Sequence, residues 1–404
     1  MLHIGQHLFC FMPLAFNLAL LDSVCPAGAV RSGRAAALLA LGLPILRWSQ
    51  RNDWHSLVRK LSYPGISSAA ASASSCPATT SPAPPSSPSM DEGVSIYNGE
   101  SHREKLLRRQ NMSIAIIANP LAGRGRGQKV AQAVQQLLKE QNVDFEMVFT
   151  QYAGHAVELA DQASDKHPVV AALGGDGTVR EVLSAIWQKP SALGVIPGGT
   201  GNDYARGLGI PRETEAALKV LVEGTAAPLD VGLEHGDVFG QLACIGFPVD
   251  VIMHVNAHRD GLIKGSAAFL AGVAATLRNL RHYQVRITVD GKVLEKDVVG
   301  VFVMNMPYGG GGMKFAPDAR YDGGEFHVVI VEKISRWDLT ITLPKIYSGR
   351  HLSNPAASVV QGKEVSIEGQ SLPIMLDGDI FPARPVQASI KPRAAQVVIP
   401  KAPA

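Results

Sequence analysis

Two glycine-rich strings set carboxylates and hydroxyls where a polyphosphate could lie. The first, LGGDGTVREV (173–182), follows the apolar run PVVAAL and leads into helical spacing. Gly174, Gly175 and Gly177 remove Cβ atoms where a backbone must approach an anion closely. N–H groups at the start of the next helix would point at that anion, aided by the helix dipole. Thr178 adds a hydroxyl, and Asp176 adds a carboxylate able to hold magnesium or order its water. Asp176-Gly177 by itself is an ordinary tight turn; its place between a strand and a helix favours phosphate. The second string, IPGGTGNDYARGLGIP (196–211), repeats the arrangement with Gly198, Gly199 and Gly201. Thr200, Asn202 and Asp203 stand at its edge, and Arg206 could neutralise phosphate or cap a helix. A third loop, ANPLAGRGRG (118–127), offers Asn119 to fix the loop or touch a nucleotide, with Arg124 and Arg126 as positive charge. No G-K-[ST] follows it, so it is not a Walker A loop. Its spacing misses the dinucleotide fingerprint too, and the next strand ends in Phe149 and Thr150 rather than an acid.

These loops need a scaffold that brings them to one edge. SIAIIA (113–118), FEMVF (145–149), PVVAAL (168–173) and LGVI (193–196) read as strands alternating with helices. Val130, Val134, Leu137 and Leu138 share one helical stripe, and Val179, Val182, Leu183, Ile186 and Trp187 share another. Such alternation implies a parallel sheet that binds ligands at the carboxyl ends of its strands. Every glycine-rich loop falls at such an end. After Asp230 the texture changes to short strands: FGQLACIG, QVRITVDG, DVVGVFVMN, FHVVIVE, EVSIEG and PIMLDG. One helical pattern, GSAAFLAGVAATLRNL (265–280), interrupts them. It could lie on an anionic membrane, line an acyl tunnel or pack on the strands. The expected organisation is an α/β domain over 112–230 and an antiparallel β-sandwich over 231–404, whose C-terminal tail is free to return to the first domain.

Of the 404 residues, 46% are hydrophobic and 18% charged, as in a folded globular chain. A net charge of +3 gives no electrostatic case for nucleic-acid binding. Cys10, Cys25 and Cys76 precede the motifs and only Cys244 lies among them, so neither a disulfide framework nor a zinc cluster is expected. The apolar run at 7–21 lacks a basic flank and is interrupted by Pro13 and Asn17. Residues 61–90 carry no charge and are mostly Ser, Ala and Pro. Residues 1–111 therefore read as a poorly ordered extension, with a targeting role as the other reading, and Met112 would be a natural start. No long apolar span follows it.

The order NPLAGRGRG, TQYAGHA, GGDGTVREV, IPGGTGNDYARGLGIP, DVG (230–232), ACIGF (243–247), GGGMKFAPDARYDGGEF and LDGD (376–379) resembles the diacylglycerol kinase catalytic family. That family includes bacterial lipid kinases and sphingosine kinases. The resemblance implies a nucleotide-binding α/β domain of the NAD-kinase and phosphofructokinase kind, then a β-sandwich, with the active site between them. It places Thr150, Thr200 and the loop Gly174, Gly175, Asp176, Gly177, Thr178, Val179 and Arg180 on ATP. It gives Asp176 and Asp203 to Mg²⁺, and makes Asp379 the general base in DGD, where relatives carry DGE. Relatives also carry D-D-G in a structural magnesium site. Here the string is Asp322, Gly323, Gly324, which leaves Asp322 as the metal candidate there. The implied activity is Mg²⁺-dependent phosphoryl transfer from ATP to a lipid hydroxyl, diacylglycerol first. A cytoplasmic enzyme in peripheral contact with the membrane is expected. An NAD kinase, a sphingoid-base or ceramide kinase, and an ATP-sensing regulator are the alternatives; the oligomeric state has no signature.

Overall fold

The computed structural model describes residues 113–258 and 266–401. The expected extension, its apolar run and Met112 lie outside them. In the first half, β1 (Ser113–Ala118), β2 (Asp144–Phe149), β3 (Val169–Gly174) and β4 (Ala192–Pro197) form a parallel sheet in the order β2-β1-β3-β4. Both faces are covered, because successive side chains of β1 point to opposite sides. Ile114 and Ile116 meet Ala131, Val134 and Leu138 of α1 (Gly127–Glu140). Ala115 and Ile117 belong instead to the core built with α2 (His155–Ser164) and α3 (Asp176–Ile186). Two further helices, α4 (Asp203–Gly207) and α5 (Thr214–Glu223), complete the layer set.

The second half contains β5 (Thr225–Glu234), β6 (Asp237–Phe239), β7 (Leu242–Gly246), α6 (Phe247–Ala257), α7 (Ser266–Arg278), β8 (Tyr283–Val289) and β9 (Lys292–Met304). A small ribbon, β10 (Tyr308–Gly309) and β11 (Met313–Lys314), precedes β12 (Phe326–Glu332). Then come α8 (Arg336–Thr342), two 3₁₀ turns (Leu343–Ser348 and Arg350–Ser353), β13 (Ala357–Gly362), β14 (Glu364–Leu376) and β15 (Asp379–Ile399). The pairings make a sandwich of strands that bend between layers. β9 pairs with β8 over Lys292–Val298, then with β7 and β12 over its second half. β14 pairs with β8 through Gly369 and reaches β7 only at Met375 and Leu376. The register breaks between Ile367 and Ile374, so EVSIEG and PIMLDG are one irregular strand rather than two. Phe239, Ile287, Val301, Phe326 and Leu376 fill the space between the layers.

Two long strands join the halves. β15 pairs with β14 at its start, and Gln396 and Val397 then lie parallel to Ala192 and Leu193 of β4. β5 runs antiparallel to it from Ala388 to Ile399, and the register slips between Lys391 and Ala395. Asp230 sits opposite that slip and is wholly buried. Its carboxylate accepts the N–H of Arg393 at 2.8 Å and of Gly324 at 2.5 Å. The boundary expected at residue 230 thus falls inside a continuous strand. Neither strand was legible beforehand: β15 holds Pro382, Pro385 and Pro392, and proline argues against a strand interior.

Candidate active site

The three glycine-rich loops emerge side by side from the carboxyl ends of β1, β3 and β4. The loops after β3 and β4 approach backbone on backbone, since a Cβ on Gly199 would stand 2.5 Å from the Gly175 Cα. Gly198 donates to the Gly174 carbonyl at 2.7 Å. Asn202, left-handed at φ 54°, accepts the Gly199 N–H at 2.8 Å and serves its own loop. Asn119 does likewise, accepting from Leu121 N at 3.0 Å and donating to the Thr178 hydroxyl at 3.3 Å. Arg126 donates to the Gly123 carbonyl, while Arg124 is exposed. Thr150 anchors the end of β2 through its N–H to Ala118, and Thr200 is exposed at the rim.

Helix α3 opens at Asp176, so the N–H groups of its first turn have no intrahelical acceptor and can meet phosphate. Val179, expected on ATP as part of this loop, faces inward. Its side chain is buried in the core, as its apolar stripe required, and its N–H is bonded to the Gly175 carbonyl. Arg180 leans the other way, toward the second half of the molecule. It donates to Asp379 at 2.5 Å, packs 5.8 Å from the Phe381 ring centre, and leaves its buried Nε unpartnered. Burial works against its charge, but Asp379 and Asp377 outweigh burial and hold the guanidinium protonated.

Asp176 and Asp203 come together around Gly201. A Cβ there would lie 2.9 Å from Asp176 Oδ2 and 3.6 Å from Asp203 Oδ2. Asp176 Oδ1 accepts the Tyr204 N–H and the Gln241 side-chain amide, each at 3.0 Å. Asp203 accepts the Gly311 N–H at 2.6 Å and pairs with Arg206. Burial, and next the neighbouring charge of Asp176, push the Asp203 carboxyl above its ordinary value. Such a pair suits Mg²⁺, which takes one or two carboxylates and completes its shell with water and phosphate oxygens. Asp322 does not join them. Both of its oxygens are held by Arg320, at 3.0 and 3.1 Å. Among the described residues no group of three or more His, Cys, Asp or Glu stands where a metal could be held. The missing second carboxylate at Gly323 leaves that loop tied instead through Gly324 to Asp230.

The DGD string forms the β14–β15 hairpin turn, with Asp377 at φ 49° and Gly378 at φ 104°, closed by the Leu376–Asp379 pair. Asp377 is buried and accepts from the Tyr204 hydroxyl at 2.5 Å and from the N–H groups of Gly240, Gln241 and Leu242 at 2.7–2.9 Å. Burial still pushes its carboxyl upward. Asp379, two residues on, is 57% exposed and faces Arg180. Gln241 and Tyr204 therefore each bridge Asp176 to Asp377, in the turn that carries Asp379. Gln241 and Tyr204 were missed in the sequence. The only trace of Tyr204 was its place in the second glycine string, and Gln241 sat unmarked inside an apolar strand pattern.

Comparison with known proteins identifies the family. Residues 113–233 match the family model for the diacylglycerol kinase catalytic domain, and residues 243–399 that for the YegS C-terminal NAD kinase beta sandwich-like domain. A diacylglycerol kinase of Mycobacterium tuberculosis is 30% identical over 305 residues, covering 74% of this chain and 98% of the relative. One from Bacillus subtilis is 30% identical over 292 residues, covering 71% and 96%. A crystal structure of a diacylglycerol kinase from Bacillus anthracis superposes with a TM-score of 0.60 at 25% identity, covering 71% and 96%. The family makes ATP the phosphoryl donor. With its glycine-rich loops gathered at one edge of the sheet and its relatives matched over both halves, the chain belongs to the diacylglycerol kinase catalytic family and is a lipid kinase.

Proposed function

We propose that the chain phosphorylates diacylglycerol to phosphatidic acid with Mg²⁺ and ATP, as a cytoplasmic enzyme in peripheral contact with a membrane. The observation that carries this is the hydrogen-bonded link from Asp176 through Gln241 to Asp377, which fixes the turn bearing the exposed Asp379 beside the glycine-rich loops. The relatives named diacylglycerol kinase support the acceptor. Asp176 and Asp203 would hold the magnesium, with Asp322 left out of the set. The ion would neutralise charge on the transferring phosphoryl. The Gly174–Thr178 loop, with Asn119, Thr150 and Thr200 at its edges, would cradle the nucleotide through backbone N–H groups.

The lipid hydroxyl oxygen attacks the γ-phosphorus in line, the bond to the β,γ-bridging oxygen breaks, and ADP departs. The hydroxyl proton passes to Asp379 as the new P–O bond forms. Arg180 fixes the direction of that carboxylate. Aspartate reaches less far than the glutamate of relatives, and placing it at the first residue of β15 sets its backbone at the cleft.

The test is labelled ATP and Mg²⁺ with the full chain and mixed micelles of diacylglycerol, sphingosine or ceramide, and NAD as a soluble control. Label in phosphatidic acid is expected, reduced at least roughly 10²-fold by Asp379→Ala, the effect of losing a general base. Label in another lipid or in NADP would replace the acceptor, and undiminished turnover in Asp379→Ala would remove the base.

A further inference from the structure

Among the described residues, large apolar side chains are seldom left in water, yet three of the eight that are lie within one short stretch. Trp337 is 61% exposed, Ile341 60% and Tyr347 40%. Trp337 and Ile341 are four apart on α8, so they project from one face, while Leu339 and Thr342 turn inward. Helix α8 runs directly into the 3₁₀ turn Leu343–Ser348, which carries Tyr347 and buries Ile346. Exposed cations surround them: Arg336, Lys345 and Arg350 on the same stretch, and Arg278 at the end of α7. Arg336 bonds the Arg278 carbonyl at 3.1 Å, which keeps the two elements together. The one acid in the stretch, Asp338, accepts from the Ser335 hydroxyl at 2.7 Å, and Ser335 caps the helix by accepting the Asp338 N–H at 3.1 Å.

The patch lies beside the chemistry. The 3₁₀ turn packs on β11, whose ribbon delivers the Gly311 N–H to Asp203. Tyr347 is close enough for the Asp203 charge, after burial, to push its phenol upward.

We propose that α8 and the following turn form a docking surface for an anionic phospholipid bilayer, with Trp337 and Ile341 entering the interface and Arg278, Arg336, Lys345 and Arg350 meeting the headgroups. The occupant follows from the charge and chemistry of the patch. Tryptophan with aliphatic neighbours settles at the boundary of headgroups and acyl chains, and a ring of cations is drawn to anionic lipid. The inference rests on the lipid-acceptor reading, because docking here would set the cleft at Asp203 against the surface that holds the substrate.

The test measures co-sedimentation of the full chain with phosphatidylcholine vesicles, with and without phosphatidylglycerol. In parallel, turnover is measured on a short-chain diacylglycerol kept below its micelle concentration. W337S/I341S is expected to weaken vesicle binding at least roughly tenfold, the effect of withdrawing two large apolar side chains. K345Q/R350Q is expected to weaken the preference for phosphatidylglycerol and the loss of binding with salt, Arg278 and Arg336 remaining. Turnover on the soluble acceptor and the thermal midpoint should stay unchanged in both. Wild-type vesicle binding in W337S/I341S overturns the inference. So does unchanged binding together with a loss of self-association in sedimentation equilibrium, which would give the patch to a second copy of the chain. Failure of the wild type to phosphorylate the soluble acceptor would strike at diacylglycerol as substrate and leave the docking result to stand or fall by vesicle binding.

Discussion

Asp203 carries an electrostatic load that its backbone neighbours only partly relieve. It is 2% exposed, lies near Asp176, and accepts from Gly311 while pairing with Arg206. Burial and the adjacent carboxylate raise its pKa in the folded protein. The folded chain therefore keeps this proton at a pH where the unfolded chain has lost it. Stability falls as pH rises from the ordinary carboxylate value of about 3.9 to the higher native value, and stays lowered above that window. Asp203→Asn removes the charge, so its urea midpoint near neutral pH should exceed the wild type, and the two should converge as the pH drops to about 4. Turnover should meanwhile fall. A midpoint below the wild type at neutral pH would mean that the Arg206 pair outweighs burial. The strings GGDGT and GTGND made these carboxylates stand out because glycine and aspartate in sequence mark a tight loop after a strand. Gln241 was not readable, since its role depends on a turn between β6 and β7 that faces Asp176 only in three dimensions.

The β14–β15 turn works as one element, and Asp377 is its anchor. Three successive N–H groups, Gly240 to Leu242, and the Tyr204 hydroxyl all end on its carboxylate. Asp377→Ala would strand these donors in a buried site. Each unsatisfied donor costs about 1–3 kcal/mol, so a loss of at least roughly 3 kcal/mol is expected in urea denaturation. Activity should be lost along with it, because Asp379 would no longer be held. A loss below about 1 kcal/mol would mean that water replaces the carboxylate. Sequence reading marked the DGD string but could not see which donors Asp377 collects. Those donors come from residues more than a hundred positions earlier. At the same scale, the strands of the first half and their helices were readable because parallel buried strands are continuous apolar runs. The second half was less so: β9 and β14 change layers midway, and a strand that bends between layers loses its simple alternation.

Across the whole molecule, β5 and β15 weld the nucleotide-binding sheet to the sandwich. Val397 is fully buried and Ala395 and Val398 nearly so, and Gln396 and Val397 extend the parallel sheet beyond β4. Deleting residues 394–404 should therefore cost soluble expression or a cooperative unfolding transition, although no residue of the cleft is removed. A truncated chain that unfolds cooperatively and still turns over ATP would show that the weld is dispensable. The same joint has a consequence for how the chain is made. β4 leaves the ribosome about 200 residues before its partner at Gln396 exists. At about 5–20 residues per second, that interval is on the order of 10–40 s. Throughout it, the fully apolar strand Ala192–Pro197 presents an open edge, the kind of edge that recruits the wrong strand. The nucleotide-binding half cannot finish folding as a unit during synthesis, and chaperone demand should fall in that interval and end when residues 395–399 emerge.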